Sequence, residues 1–335
     1  LSRCTQKLLS GGGYCTAWTP ITPRTRQTLR IGIGYGAKWQ AAQAGAAEAI
    51  RQAQATPGAR LRSAHAAWWR SYFQASSFTI PDKTVEIFCL RQLYKFACAS
   101  RVGGPVIDVA GPWFQPTTWP GIWWNMNVEL AYWIANPSNH PELNEPLLRT
   151  LETGERNLRL NVPPKYRKDS IGLGRASAHD LRSDAGHELH NLAWAMHNCH
   201  LPFLHTLDGT WLRRVYPLLK KSVRLILHHL TREKLPGGAY RFHLAPARQG
   251  EEKELVQDSV QLLSLLRWGL EALIDAARRL KTDPDEAREW SDILEHLAPY
   301  PSDPEIGLLR PTEGYHPADH MAAIYPLHLL SIDDP

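Results

Sequence analysis

The sequence predicts a mainly α-helical protein preceded by a short β-rich segment. Three observations carry that prediction. Strand-like alternation is confined to the N-terminal region, at Thr28–Gly34 (Thr-Leu-Arg-Ile-Gly-Ile-Gly). From about residue 60 onward the apolar residues recur with a helical period instead. The stretches between the helical runs are long and carry Pro, Gly, His and Trp, as loops that build a site do. With 335 residues, 43% of them hydrophobic, the chain can bury a sizeable core in one large domain or two modest ones.

Residues 1–37 are rich in Gly and Thr and are expected to be the remnant of an N-terminal β domain. Residues 38–56 are Ala- and Gln-rich and helical by propensity until Pro57-Gly58 breaks the run. The segment 38–60 is therefore expected to be a helical linker, and 61–335 the main helical domain, incomplete at its C-terminus. Ser63–Gln74 is an aromatic-rich helix. Pro81-Asp82 opens the next, which runs to about Arg101 with Ile87, Leu90, Leu93, Tyr94 and Ala97 on one side. Further helices are predicted at Asn127–Ala135, Glu142–Arg159, Glu188–Thr206, Thr210–Arg232, Leu255–Lys281, Asp283–Leu297 and Ala318–Leu330. No repeat of fixed period is present. Many helices and few strands imply helix-on-helix packing. Alternating short and long connections fit hairpins arranged around an axis, with the long loops gathered at one end.

Bulk properties exclude several functions. The net charge is +5, but the basic residues are scattered among acids and form no stripe, so no nucleic acid is expected as a partner. The five cysteines include no Cys-x-x-Cys, and no His-Glu-x-x-His occurs, so neither a metal nor a cofactor is expected. Cys89 and Cys98 lie in a helical run and are expected to be buried thiols. No apolar run is long enough to span a bilayer, and no membrane partner is expected. Oligomeric state is left open.

The most informative stretch is residues 111–133, where Trp113, Trp119, Trp123, Trp124 and Trp133 crowd a Pro/Gly loop that leads into a helix. Flat aromatic faces suit the apolar faces of sugar rings. The carboxamides of Asn125 and Asn127 suit hydroxyls or a water molecule. A carbohydrate is thus the expected substrate. The four loop tryptophans Trp113, Trp119, Trp123 and Trp124 cannot all be core, because a Pro-rich loop buries poorly; some should stack on sugar and others pack on neighbouring hairpins.

Four stretches carry a resemblance to a known family, in that family's order. They are Trp119-Pro-Gly-Ile-Trp-Trp-Asn-Met-Asn-Val-Glu-Leu-Ala-Tyr-Trp133, then Asn191-Leu-Ala-Trp194-Ala-Met-His197, then the helix from Tyr216 with Gly237–Glu254 and Gln257-Asp258 after it, and finally His316-Pro-Ala-Asp-His-Met-Ala-Ala-Ile-Tyr-Pro326. Over residues 60–330 the chain resembles the six-hairpin glycosidases, most of all glycoside hydrolase family 95, which contains α-L-fucosidases and α-L-galactosidases. The resemblance implies an (α/α)6 toroid of helical hairpins. It also implies an inverting exo-glycosidase that removes a terminal α-L-fucosyl-like residue from an oligo- or polysaccharide, and an extracellular or periplasmic location.

The same resemblance assigns roles. Asn125 and Asn127 match the family's Asn-x-Asn pair, which holds the attacking water; for Asn125 alone, capping of the following helix is an equal alternative. Glu251 sits at the offset of the proton donor, with Gln249-Gly250 where the family has Ser-Pro, and with Glu252 and Glu254 beside it. Asp319 matches the carboxylate that polarises the amides, or is the N-cap of a helix. An inverting enzyme keeps its acid and base sides roughly 6.5–9.5 Å apart to admit water. Glu129, His197, Asp258 and His320 complete the expected sugar contacts. Asp258 could instead cap a helix, His197 could instead be structural, and Glu129, one turn from Asn125, could instead orient that residue or pair with a surface Arg. Two other classes stay open: a non-catalytic carbohydrate-binding relative, supported by the altered Ser-Pro-Glu position, and an inactive fragment. A phosphorylase of a related toroid family is a further enzymatic alternative.

Overall fold

The computed structural model describes residues 1–8, 12–21, 28–113, 116–186, 188–248, 255–302 and 321–331. The chain divides into two compact units, 1–77 and 78–335.

The first unit begins with a three-stranded antiparallel sheet, β1 (Ser2–Lys7), β2 (Gly13–Ile21) and β3 (Thr28–Gly36), in that order. Its register sets Cys15 opposite Gly34 and Ala17 opposite Gly32. Strand side chains alternate between faces, so these four residues share one. Against that face lies α1 (Trp39–Ala55), whose Ala42, Ala46 and Ile50 close a small core with Cys15 and Ala17. A Cβ at Gly34 would sit 2.1 Å from the Ala42 carbonyl oxygen, so the helix backbone approaches as closely as it does only because glycine is there. The segment expected as a linker is therefore part of the sheet's packing, and the boundary between units falls at Ser77 rather than at residue 60. Pro57 ends α1 as predicted and precedes α2 (Gly58–Ala75), whose Trp68 and Tyr72 rings stack at 5.4 Å.

In the second unit α3 (Lys83–Ala99) starts where Pro81-Asp82 predicted, with the Asp82 carboxylate accepting from Thr84 N–H at 2.8 Å. Its buried side is Leu93, Phe96 and Ala97; Ile87, Tyr94 and Cys98 are exposed, so Cys98 is not the buried thiol expected. Short strands β4 (Ile122–Trp123) and β5 (Ala176–Ser177) pair antiparallel, and α4 (Asn127–Tyr132) follows β4 at once. The helix predicted over 142–159 is divided at Gly154 into α5 (Glu145–Thr153) and α6 (Glu155–Leu160). The core is built on α7 (His190–Thr206), buried on nearly every side for its first eleven residues. It forms a hairpin with α8 (Gly209–Leu227), which buries one stripe through Leu212, Val215, Leu219, Val223 and Ile226. The second hairpin is α9 (Val260–Leu280) with α10 (Pro284–His296). Lys220 of α8 reaches Asp283 and Glu286 at 2.6 Å each and pins the two hairpins together.

Three further predicted helices differ. The run predicted to Arg232 stops at Leu227, and β6 (Leu230–Lys234) pairs with β7 (Tyr240–Leu244) as a hairpin. The helix predicted from Leu255 starts at Val260, where the Ser259 hydroxyl caps it; Leu255–Val256 is instead strand β9, paired with β8 (Ala247–Arg248). Of the helix predicted over 318–330, the described part is a single 3-10 turn, Met321–Ala323, followed by turns through a cis Tyr325-Pro326 bond. Pro326 forbids continued helix there. Among the described residues no helix is long and apolar enough to cross a membrane.

Candidate active site

The tryptophan segment is held by backbone pairing. Gly121 takes φ +87°, and a Cβ there would lie 2.7 Å from the Ser177 carbonyl oxygen, so glycine lets the loop turn tightly into β4. The Trp124 N–H then donates to the Arg175 carbonyl at 2.8 Å, and its indole N–H donates to Ser177 Oγ at 2.9 Å. Trp124 is fully buried. It anchors the loop and offers no face to a sugar, which corrects its expected role. Burial of an indole requires a partner for its N–H, and Ser177 supplies one.

Three other tryptophans lie where a ligand could meet them. Trp113 and Trp119 are 46% and 59% exposed. Trp119 and Trp123 meet with ring centroids 6.0 Å apart and planes tilted by 51°. Trp113 and Trp123 line a cavity of about 520 Å³ together with Lys95, Asp108, Asn127 and Val128. That volume lies within the ~300–1,000 Å³ range of small-ligand sites.

Asn127 is the first residue of α4 and is exposed in the cavity wall; Asn125, two residues earlier, is half-buried with its carboxamide oxygen inside. The N-cap of α4 is Met126, with no side-chain cap bond, so neither asparagine occupies the capping position that Asn125 could have taken. Glu129, expected to touch sugar or Asn125, is fully buried, and neither carboxylate oxygen has a hydrogen-bond partner. Only its backbone carbonyl is engaged, accepting from Asn198 Nδ2 at 2.8 Å. Burial holds its carboxyl well above the usual range, so the side chain is a neutral acid.

Behind the loop, Arg175 pairs with Glu188 at 2.8 Å, and Glu188 accepts from Asn191 Nδ2 at 3.2 Å. The Trp124 backbone is thereby linked through Arg175 to the start of α7. No spacing in the sequence signals this pair, because β4–β5 pairing alone brings Arg175 there. Along α7 burial lowers His190 and His200 to about 4 and His197 to about 3, so all three are neutral imidazoles. His197 is 3% exposed and meets Trp268 of α9 edge-on at 5.0 Å. It is core, the structural alternative, and not a sugar contact.

Asp258 neither caps α9 nor stands open. It takes φ +50° and accepts from the Leu244 N–H at 2.6 Å and from His243 Nδ1 at 2.7 Å. Glu251, Asp319 and His320, and with them Glu252 and Glu254, lie outside the described residues.

The glycosyl hydrolase family 95 catalytic domain matches residues 91–310. The chain belongs to that family. Its core hairpins, the Trp segment and the β6–β7 hairpin all fall inside the matched span. The fold is also similar to a solved structure of a putative kojibiose phosphorylase from human microbiome, with a TM-score of 0.63 at 11% identity, over 93% of this chain and 48% of that one. The chain spans about half the length of that neighbour. The likeness is one of fold, that of the six-hairpin glycosidases, and agrees with the mainly α architecture and the toroid implied by the sequence. No curated protein matches the chain.

Proposed function

We propose that the protein is an inverting glycoside hydrolase that removes a terminal α-L-fucosyl-like residue from an oligo- or polysaccharide. The observation that carries this reading is the cavity walled by Trp113 and Trp123, with the Asn127 carboxamide in its lining at the start of α4. Aromatic walls take up the apolar face of a sugar ring, and an amide at the rim orients hydroxyls or a water.

In this reading Glu251 donates a proton to the glycosidic oxygen as the bond from that oxygen to the anomeric carbon breaks. A water held by Asn125 and Asn127 attacks the same carbon from the opposite face. An amide cannot take up the proton the water loses, so that proton passes to Asp319, which also polarises the amides. Trp119 and Trp123 extend the aromatic surface toward the rest of the glycan, and His320 contacts a sugar hydroxyl. One or two side chains decide between fucose and galactose, since the two differ in how a single hydroxymethyl position is treated.

Purified protein given an aryl α-L-fucoside and fucosylated oligosaccharides tests the proposal, with product anomers followed by NMR. The expected result is turnover with inverted configuration, and a loss on the order of 100-fold or more in Glu251→Gln. Equal activity in Glu251→Gln would remove that residue from the role of acid. Binding without any turnover would favour the non-catalytic relative. The fold neighbour's printed name favours one further reading, phosphorolysis, and a strict requirement for inorganic phosphate would establish it in place of hydrolysis.

A further inference from the structure

A second polar cluster, unused by the chemistry above, lies at the neck of the segment between β7 and α9. His243, near the end of β7, has each ring nitrogen on a carboxylate: Nδ1 is 2.7 Å from Asp258 Oδ2, and Nε2 is 3.0 Å from Glu233 Oε2. A carboxylate offers only lone pairs, so each contact needs an N–H, and both together need the imidazolium. The Asp258 hydrogen bond first, and Glu233 after it, raise His243 above the ordinary imidazole value. The His243 and Asp258 side chains are only 20% and 17% exposed, so water competes weakly for the inner pair.

Asp258 has a second engagement. Its Oδ1 accepts from the Leu244 N–H at 2.6 Å, and its own N–H donates to the Leu244 carbonyl at 3.4 Å. Its left-handed backbone, unusual for a residue other than glycine, is one that surrounding bonds must hold. Leu244 and Asp258 are thus joined, closing the ends of residues 245–257, and the β8–β9 pairing continues just beyond. Among the described residues, few other groups face the cluster. Arg241 lies opposite Glu233 in the hairpin register, the Thr231 hydroxyl donates to the His243 carbonyl at 3.3 Å, and the Ala245 N–H donates to the His229 carbonyl at 2.9 Å. From α10, Asp292 and His296 contact Tyr240 instead.

We propose that His243 is a pH-responsive clamp where β7 meets the approach to α9: charged, it ties Glu233 of β6 and Asp258 together across β7, and neutral, it can donate only one of its two hydrogen bonds, so this junction loosens. The clamp is complete below the ordinary imidazole value of 6.5 and is lost as pH rises through the raised folded value.

Amide hydrogen exchange on the full chain tests the clamp, with intrinsic exchange corrected for pH. Protection at residues 244–248 and 255–258 is expected to fall on the order of ten-fold between about pH 6 and about pH 9. His243→Gln is expected to show the low protection at both values. Glu233→Gln alters a carboxylate whose side chain is 54% exposed and keeps the chain folded; it is expected to move the transition to lower pH. Protection that ignores both pH and these substitutions overturns the proposal.

Discussion

Glu129→Gln gives the sharpest test of the interior. Glu129 is fully buried, neither carboxylate oxygen is hydrogen-bonded, and burial holds its carboxyl well above the usual value of 4.5. The unfolded chain ionises near that usual value while the folded chain stays protonated. The stability associated with Glu129 is therefore fully present below pH 4.5 and declines as pH rises toward the folded value, by about 1.4 kcal/mol for each pH unit. Complete burial means that solvent does not screen this cost. Glutamine has nearly the same shape and does not titrate. Its NH2 group adds an unpaired donor, a constant penalty of about 1–3 kcal/mol that does not change with pH. The difference in stability between Glu129→Gln and wild type should thus move in favour of the variant as pH rises above 4.5, at up to about 1.4 kcal/mol for each pH unit while the folded carboxyl stays protonated. Urea unfolding of both proteins at several pH values, with the second unit followed by tryptophan fluorescence, measures that slope. Parallel pH dependences, with a difference constant to about 0.5 kcal/mol, would refute the reasoning, because the carboxyl would then ionise inside the fold without penalty.

The tryptophans should separate by function. Trp113→Ala and Trp123→Ala are each expected to weaken sugar binding by about 3–10-fold, the worth of one aromatic face, when titrated by calorimetry. Trp124→Ala should instead cost about 3–5 kcal/mol of stability in thermal or urea unfolding, since it empties a buried site and removes the bond to Ser177. In the first unit, Gly34→Ala should destabilise the packing of α1 on the sheet by about 1–3 kcal/mol, because its Cβ would meet the Ala42 carbonyl at 2.1 Å; faster amide exchange confined to residues 12–55 would report it.

Local signals in the sequence sufficed for most helices. The Asp82 cap, the break at Pro57 and the one-sided apolar stripe of α8 act between neighbours a few residues apart, so they are legible in a string of letters. The hairpin of β6 and β7 was hidden for the converse reason. Its residues gain their partners from ten or so positions away, and the run after Leu227 continues a helical pattern until cross-strand pairing overrides it.

Composition and motif order in the sequence determined a mainly helical fold with its aromatic loop ahead of α4, because residue type and spacing survive without coordinates. Tertiary structure alone decided which of those residues line the cavity. Trp123 and Trp124 are adjacent, yet one lines a cavity and the other is core, since strand pairing with Ala176 and Ser177 turns successive side chains to opposite sides. Glu129 looked like a contact one turn from Asn125, but the face of α4 it occupies packs against α7. Asp258 and His243 stand fifteen residues apart and became one unit only where β7 and the approach to α9 meet. Burial and pairing are properties of the whole fold, and no single position encodes them.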